Sequence, residues 1–260
     1  SSMGSPWGNS GISKCELAAN AVNHTLYDLT LNACMKDGEL IDRVHVGVFG
    51  YGQGGVSWRL PGAEASGWQT ASSWCTGFAS TARVPVSHDG HRAIEQEIPI
   101  WLEPVAANGT PMAQAFQKAH EVVKTHAVAY PNSHPPIVIN ITDGEAGGIE
   151  SPSSQIRSVT TEDGNALLFT LQIASEGGEP VMFPEHPPSG CTPYTRVLHS
   201  ISSIVPANMA LRAARLGIAI PESGRAIVLN ADPLALTRLL QVGTTLVNVV
   251  DAEDVQLQLT

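Results

Sequence analysis

The 260 residues carry a formal net charge of −10, and 43% of them are hydrophobic while 15% are charged. This composition predicts a globular core and is not typical of a disordered chain. It also argues against a nucleic-acid partner and against docking on an anionic membrane, because both need concentrated Lys and Arg that the sequence lacks.

The first part of the chain predicts one long helix, then a strand, then an irregular region. Ser13–Met35 shows the helical spacing of apolar residues, with Ser13 as the N-cap and Glu16 completing a capping box. Val44–Phe49 alternates β-branched residues and predicts a strand. Residues 51–96 are rich in Gly, Ser and Trp, which predicts a functional insertion or a set of short strands.

The rest of the chain alternates strands with helices. The predicted strands are Glu97–Leu102, Ile137–Thr142, Ala166–Ile173 and Arg225–Leu229. The predicted helices are Thr110–Ala129, Ser151–Thr161, Tyr194–Ile204, Pro206–Leu216 and Pro233–Val242. Pro99 indicates an edge position for its strand, and Asp232 is the expected cap of the last helix. This alternation predicts an α/β fold with a mostly parallel central sheet and helices on both faces.

We expect one domain over residues 1–243, with the insertion at about 51–96, and a C-terminal tail over residues 244–260 that adds an extended segment. The four cysteines form no C-x-x-C pair, so neither a zinc site nor a disulfide framework is expected, and a reducing cytoplasm is the predicted location. Asn23-His24-Thr25 matches the glycosylation pattern, and we interpret that match as accidental.

Three separate segments carry oxygen ligands that suit one place in such a fold. An apolar run ends abruptly at Asp143, which predicts a buried strand that delivers a carboxylate to the edge of the sheet. Ser2 and Thr110 lie in short Gly-containing segments that suit the same edge. Two hydroxyls and a carboxylate that converge would suit a hard cation such as Mg²⁺.

Each of these residues also has an ordinary structural interpretation. Asp143 precedes a glycine, and Asp-Gly is a common turn pair. Thr110 precedes Pro111 and could simply cap the helix that begins there. Ser2 is almost terminal, and a terminal residue is mobile by default.

The three segments resemble the metal-ion-dependent adhesion site of the von Willebrand factor A (VWA) domain. In that family an Asp-x-Ser-x-Ser stretch ends the first strand, a Thr follows from a later loop, and a further Asp lies in a Thr-Asp-Gly turn. Ser2 matches the second Ser because Met3 and Gly4 follow it, Thr110 matches the Thr, and Asp143 matches the later Asp. The resemblance implies a Rossmann-like VWA fold.

The family's first Asp, first Ser and first strand have no counterpart in this sequence. We therefore expect either that the natural protein is longer than this chain or that a separate segment supplies the strand. In the family the later Asp often binds the ion through water, so Asp143 is also a candidate for that indirect role.

A second resemblance is to bacterial intracellular VWA proteins similar to the tellurite-resistance-associated ones. It is carried by Gly109–Met112, Asp163–Phe169, Gly178–Phe183 and Leu229–Asp232. Members of that group accompany protein kinases, protein phosphatases or MoxR-type ATPases, some of them in stress or phage-defence loci. The resemblance implies a cytoplasmic adaptor or scaffold that binds another protein, whose Glu or Asp completes a Mg²⁺ ion held by Ser2, Thr110 and Asp143.

Two alternatives remain open at this point. A metal-dependent enzyme for phosphoryl transfer or hydrolysis would need a base and a cationic group, and no Lys or Arg lies close in sequence to the three segments. Arg157 is the nearest after Asp143, so we expect a binding module and not an enzyme. The other alternative is a metal-free structural subunit.

Overall fold

The computed structural model describes residues 2–7, 11–60, 62–88, 91–173 and 178–244, and of residues 84–88 and 91–96 it describes the backbone alone. The helices in these ranges are a 3₁₀ turn at Ser2–Gly4, then α1 Lys14–Ala33, α2 Ala71–Trp74, α3 Met112–Ala129, α4 Glu150–Ser158, α5 Pro193–Ile201, α6 Ala207–Arg215 and α7 Pro233–Thr244. None of the helices in the described ranges combines the length and the apolar character needed to cross a bilayer.

The strands are mostly short. They are β1 Met35–Lys36, β2 Glu39–Leu40, β3 His45–Val46, β4 Phe49–Gly52, β5 Gly55–Trp58, β6 Gln69–Thr70, β7 Ser80–His88, β8 His91–Ile100, β9 Ile137–Thr142, β10 Thr160–Thr161, β11 Gly164–Asn165, β12 Leu167–Ile173, β13 Val181–Met182 and β14 Ile227–Ala231.

Four strands form the central sheet, in the order β13-β14-β12-β9. The strands β9, β12 and β14 run parallel, and β13 adds an antiparallel edge against β14. The prediction of an α/β chain is confirmed at this level: helices and strands are mixed, and the sheet is a mixed sheet of four strands. The sequence did not predict β13, because two residues carry too little periodicity to be recognised.

Helices cover both faces of this sheet. On one face, α1, α6 and α7 pack over Phe169, Leu171 and Val228. On the other face, α3, α4 and α5 pack over Leu168 and Ile227. Successive residues of a strand point to opposite faces of the sheet. Because helices cover both faces, both sets of residues are apolar, and each strand is a continuous apolar run in the sequence.

Local signals set the ends of the helices as expected. Ser13 caps α1, and both halves of the capping box with Glu16 are present. Asp37 and Gly38 then form the turn of the β1–β2 hairpin with φ angles of 52° and 83°. Asp232 Oδ1 accepts a hydrogen bond from the Ala235 amide (2.6 Å) at the start of α7.

The prediction of one strand over Val44–Phe49 is wrong. The segment forms β3 and the start of β4, which pair with β6 and β5 and do not join the central sheet. Between β3 and β4 the backbone at Gly47 lies close to the backbone at Gly67, because a Cβ added to Gly47 would meet the carbonyl oxygen of Gly67. Both partner strands, β5 and β6, come within about 20 residues after Phe49 in the sequence. Val44–Phe49 therefore pairs with these nearby strands and not with the central sheet.

Residues 51–96 form short strands and not a structureless loop. They contribute the second half of β4, then β5, β6, α2, β7 and the first part of β8. The predicted strand Glu97–Leu102 is the end of β8, where Pro99 lies opposite Thr81 in a two-stranded hairpin. The predicted tail beyond Thr244 lies outside the described residues.

A third apolar cluster, here named the tryptophan cluster, lies off the sheet around Leu60, Trp74, Trp101 and Leu102, against the second half of α1. Asn23 of α1 ties it together: its side-chain oxygen accepts from the Trp101 and Leu102 amides (3.0 and 2.9 Å), and its amide group donates to the Leu102 carbonyl (2.9 Å). Asn23 is 2% exposed, so it is not accessible to a glycan in this fold.

Candidate functional site

The structure brings Ser2, Thr110 and Asp143 together at the carboxyl end of β9. The Ser2 hydroxyl donates to Asp143 Oδ1 over 3.0 Å. Thr110 approaches the same turn so closely that a Cβ added to Gly144 would lie 2.7 Å from Thr110 Oγ1. Three segments that are far apart in sequence therefore place their side-chain oxygens at one edge of the sheet.

The turn that carries Asp143 is held by its neighbours. The Thr142 hydroxyl both accepts from the Gly144 amide and donates to the Gly144 carbonyl, each over 3.2 Å. Thr142 is 3% exposed, so this turn is anchored at the last residue of a buried strand. The arrangement aims the Asp143 carboxylate away from the sheet toward the Ser2 segment.

Thr110 does not cap α3. The N-cap position is Pro111, and no side chain caps that helix. The capping interpretation of Thr110 is therefore wrong, and its hydroxyl instead lies against the Asp143–Gly144 turn.

Lys14 is the residue of this candidate site that was not predicted from the sequence. Its Nζ lies 3.4 Å from Asp143 Oδ2, and the two side chains are only 4% and 5% exposed. No Lys or Arg lies close to the three segments in sequence, but the fold brings Lys14 against Asp143. We name Ser2, Lys14, Thr110 and Asp143 together the Asp143 site.

Two signals in the sequence point to Lys14. A cation in the first turn of a helix opposes the helix dipole, so it needs another partner. Lys14 also precedes Leu17 and Ala21 by three and seven residues, which places it on the buried stripe of α1. A charged residue on a buried stripe predicts a buried counter-charge.

A polar network supports β9 beneath the Asp143 site. Tyr51 donates its hydroxyl to Asn140 Oδ1 (2.8 Å), and Asn140 and Tyr194 both approach Met112 Sδ (3.6 and 3.7 Å). Burial raises the pKa of Tyr51 above its ordinary value and raises the pKa of Tyr194 to about 12. Both phenols therefore stay protonated at neutral pH and are unsuited to act as general bases.

The oxygen atoms of the Asp143 site suit a hard cation, but Lys14 competes with such an ion for Asp143. Two hydroxyls and one carboxylate are oxygen ligands of the kind that Mg²⁺ takes, and Mg²⁺ sites often use only one or two carboxylates with waters. Lys14, however, already holds Asp143 Oδ2, which leaves the Oδ1 side for an ion. The described residues contain no group of three or more His, Cys, Asp or Glu side chains that could hold a metal.

Comparisons with protein-family models, with curated proteins and with solved structures find no match for this chain. The function therefore has to be argued from the geometry of the Asp143 site and from the residues around it.

Proposed function

We propose that this chain is a protein-binding module of the VWA type, and that it recognises its partner through a Mg²⁺ ion held by Ser2, Thr110 and Asp143. The observation that supports the proposal is the convergence of these three oxygen-bearing segments at the carboxyl end of β9. In open α/β sheets that end of the strands is where ligands bind.

The recognition step would depend on an ion that keeps one coordination position for a partner's Glu or Asp. Asp143 would supply the anionic ligand through Oδ1, and the hydroxyls of Ser2 and Thr110 would supply neutral ligands. Lys14 would hold the other carboxylate oxygen and fix the orientation of Asp143. The net charge of −10 disfavours random acidic partners, so specificity would come from the local fit around the ion.

The surrounding groups favour binding over catalysis. The two tyrosines near the site remain protonated, and Lys14 is committed to Asp143. By the resemblance described above, the module would act as a cytoplasmic adaptor or scaffold in a bacterial multi-protein system that contains a kinase, a phosphatase or a MoxR-type ATPase.

Calorimetric titration with MgCl₂ tests the proposed ion site. We expect the 260-residue chain to bind one Mg²⁺ and Asp143→Asn to lose that binding, because the amide keeps the shape of the side chain but removes its charge. Glu145→Gln is the matched control, since Glu145 is an exposed carboxylate two residues away. Equal Mg²⁺ affinity in the wild type and in Asp143→Asn would refute the role of Asp143.

The buried Lys14–Asp143 pair favours a second candidate, a metal-free structural subunit in which the ammonium group takes the place of a cation. The variant Lys14→Met separates the two candidates. With a Mg²⁺ site, removal of the competing ammonium group raises the Mg²⁺ affinity. With a metal-free subunit, neither the wild type nor Lys14→Met shows a heat of Mg²⁺ binding.

A further inference from the structure

Asn108 is the only asparagine in the sequence that is followed by a glycine. In an Asn-Gly pair the backbone nitrogen of the glycine can attack the side-chain carbonyl carbon of the asparagine, because glycine has no Cβ to block the approach. This ring closure is fastest where the chain is bent, the side chain is exposed and no hydrogen bond holds the attacking nitrogen. The surroundings of Asn108 meet all three conditions.

The segment that carries Asn108 connects β8 to α3 and forms neither helix nor strand. The chain bends at Asn108, and both Asn108 and Gly109 are exposed. Within the described residues, neither the side-chain amide of Asn108 nor the backbone amide of Gly109 makes a hydrogen bond. The carbon and the nitrogen that would react are therefore accessible to water and are not tied to other groups.

Two other exposed asparagines lack these conditions. Asn132 lies in a turn, but the amide of Ser133 that follows it donates to the Tyr130 carbonyl over 3.1 Å. Asn165 is also exposed, and the amide of Ala166 that follows it is likewise hydrogen-bonded to a backbone carbonyl. In both pairs the attacking nitrogen is held in place and the second residue carries a Cβ.

We propose that Asn108 is a site of spontaneous deamidation. The Gly109 nitrogen bonds to the side-chain carbonyl carbon of Asn108, and the side-chain nitrogen leaves as ammonia with the proton of the Gly109 amide. Water then opens the succinimide ring that results. Attack at the side-chain carbonyl gives aspartate, whereas attack at the backbone carbonyl gives isoaspartate, in which the chain runs through the side-chain carbon. The net reaction consumes one water, releases one ammonia and needs neither an enzyme nor an oxidant.

The loop in which the change occurs is held on both sides of Asn108. Before it, a Cβ added to Gly52 of β4 would lie 2.6 Å from Ala107 Cβ, so the two segments are in contact. After it, Thr110 Oγ1 lies against Gly144 in the Asp143 site. Isoaspartate adds one backbone atom between these two contacts, so either Ala107 or Thr110 must move. Deamidation therefore changes the Asp143 site, whether or not that site holds an ion.

Peptide mapping by mass spectrometry tests the modification in the folded, full chain during incubation at mildly alkaline pH. We expect Asn108 to deamidate at least about tenfold faster than Asn132, because the nitrogen of Gly109 is unhindered and makes no hydrogen bond. Asn132 is the matched control within the same molecule, since it is also exposed at a bend of the chain. The rate at Asn108 should rise with pH, because the Gly109 amide must lose its proton to attack. Equal rates at the two asparagines overturn the proposal.

Thermal unfolding of the incubated protein tests the consequence for the loop. We expect the fraction that contains isoaspartate to unfold at least about 2 °C below fresh protein. Asn108→Asp is the matched variant, because it adds the same charge without the extra backbone atom, and it should keep the midpoint of the wild type. Asn108→Gln should show no loss on incubation, since it would have to close a larger ring. A fraction with isoaspartate that unfolds at the midpoint of fresh protein overturns the proposed effect on the Asp143 site.

Discussion

At the scale of single residues, the two oxygens of the Asp143 carboxylate contact two different partners. Ser2 donates to one oxygen, and the Lys14 ammonium group lies against the other. An ammonium group and a divalent ion both stabilise a buried carboxylate by charge, so they compete for the same residue. The balance between these two cations decides whether the site works with a metal or without one.

Lys14→Met should destabilise the protein in the absence of metal. The substitution leaves Asp143 buried without its counter-charge, and breaking a buried pair in this way costs about 3–5 kcal/mol. We expect urea unfolding to show a loss of this order for Lys14→Met, and a smaller loss for Lys14→Met combined with Asp143→Asn. A single variant that is as stable as the wild type would show that the pair contributes little.

Gly144→Ala should disturb the site by a steric route. The new methyl group would meet Thr110 Oγ1 at 2.7 Å, so the Thr110 side chain or its loop must move. We expect the free energy of unfolding to fall by about 1–3 kcal/mol, as for other overpacked positions. Thr110→Ala should recover part of the loss in a double-mutant cycle, whereas additive effects would show that the two residues do not touch.

At the scale of elements, α1 connects the Asp143 site to the tryptophan cluster. Lys14 in its first turn pairs with Asp143, and Asn23 near its middle holds the chain at Trp101 and Leu102. One helix therefore sets the position of both groups. Its N-cap Ser13 fixes where the helix starts and hence the height at which Lys14 meets Asp143.

Asn23→Ala should weaken the tryptophan cluster strongly. It removes the partners of two buried amides and one carbonyl, and each unsatisfied group costs about 1–3 kcal/mol. We expect urea unfolding followed by tryptophan fluorescence to show a loss of at least about 2 kcal/mol. Asn32→Ala is the control, because Asn32 lies on the exposed side of the same helix. Equal losses in the two variants would contradict the role of Asn23.

The contact between β3 and α3 should make stability depend on pH. His45 Nδ1 and His126 Nε2 lie 2.9 Å apart, and burial lowers the pKa of both rings below 6.5 while Asp42 partly opposes this at His45. The folded chain keeps both rings neutral, whereas the unfolded chain takes up protons near pH 6.5. Stability is therefore fully present above this value and is lost as the pH falls below it.

The variant His126→Phe tests this dependence. The phenyl ring keeps the packing against Tyr130 and Trp68 but cannot titrate. Between pH 7.5 and 5, we expect the wild type to lose up to about 1 kcal/mol more stability than the variant, a modest value because both rings are partly exposed. The thermal midpoint across that range is the measurement, and parallel curves would exclude a role for the pair.

Elements that depend on neighbouring residues could be predicted from the sequence, whereas elements that depend on pairing between distant residues could not. The capping box of α1 and the apolar run of β9 are encoded within a few residues, so their positions follow from the sequence. The partners of Val44–Phe49 could not be predicted, because strand pairing depends on which edge is nearer in space. In the same way, Asp143 and Thr110 could be recognised from their segments, but the pairing of Asp143 with Lys14 joins residues 129 positions apart.

At the scale of the whole molecule, the apolar core is divided. Two clusters sandwich the central sheet, while the tryptophan cluster shares no strand with that sheet. Leu26 and Leu102 of the tryptophan cluster line a cavity of about 1380 Å³ that lies between this cluster and β9. Packing across this space is therefore incomplete within the described residues, and the helix α1 is a main connection between the two parts.

This division predicts that the tryptophan cluster opens before the sheet unfolds. Regions with fewer shared contacts open at a lower free energy than the most stable core. In native-state hydrogen exchange at low urea, we expect the Trp101 and Leu102 amides to exchange through an opening at least about 2 kcal/mol below that of Leu168 and Thr170 in β12. Asn23→Ala should lower the first value and leave the second unchanged, because its hydrogen bonds lie entirely in the tryptophan cluster. If all four amides instead exchange through one common opening, and Asn23→Ala shifts them equally, the protein unfolds as a single cooperative unit and the tryptophan cluster is not a separate part of it.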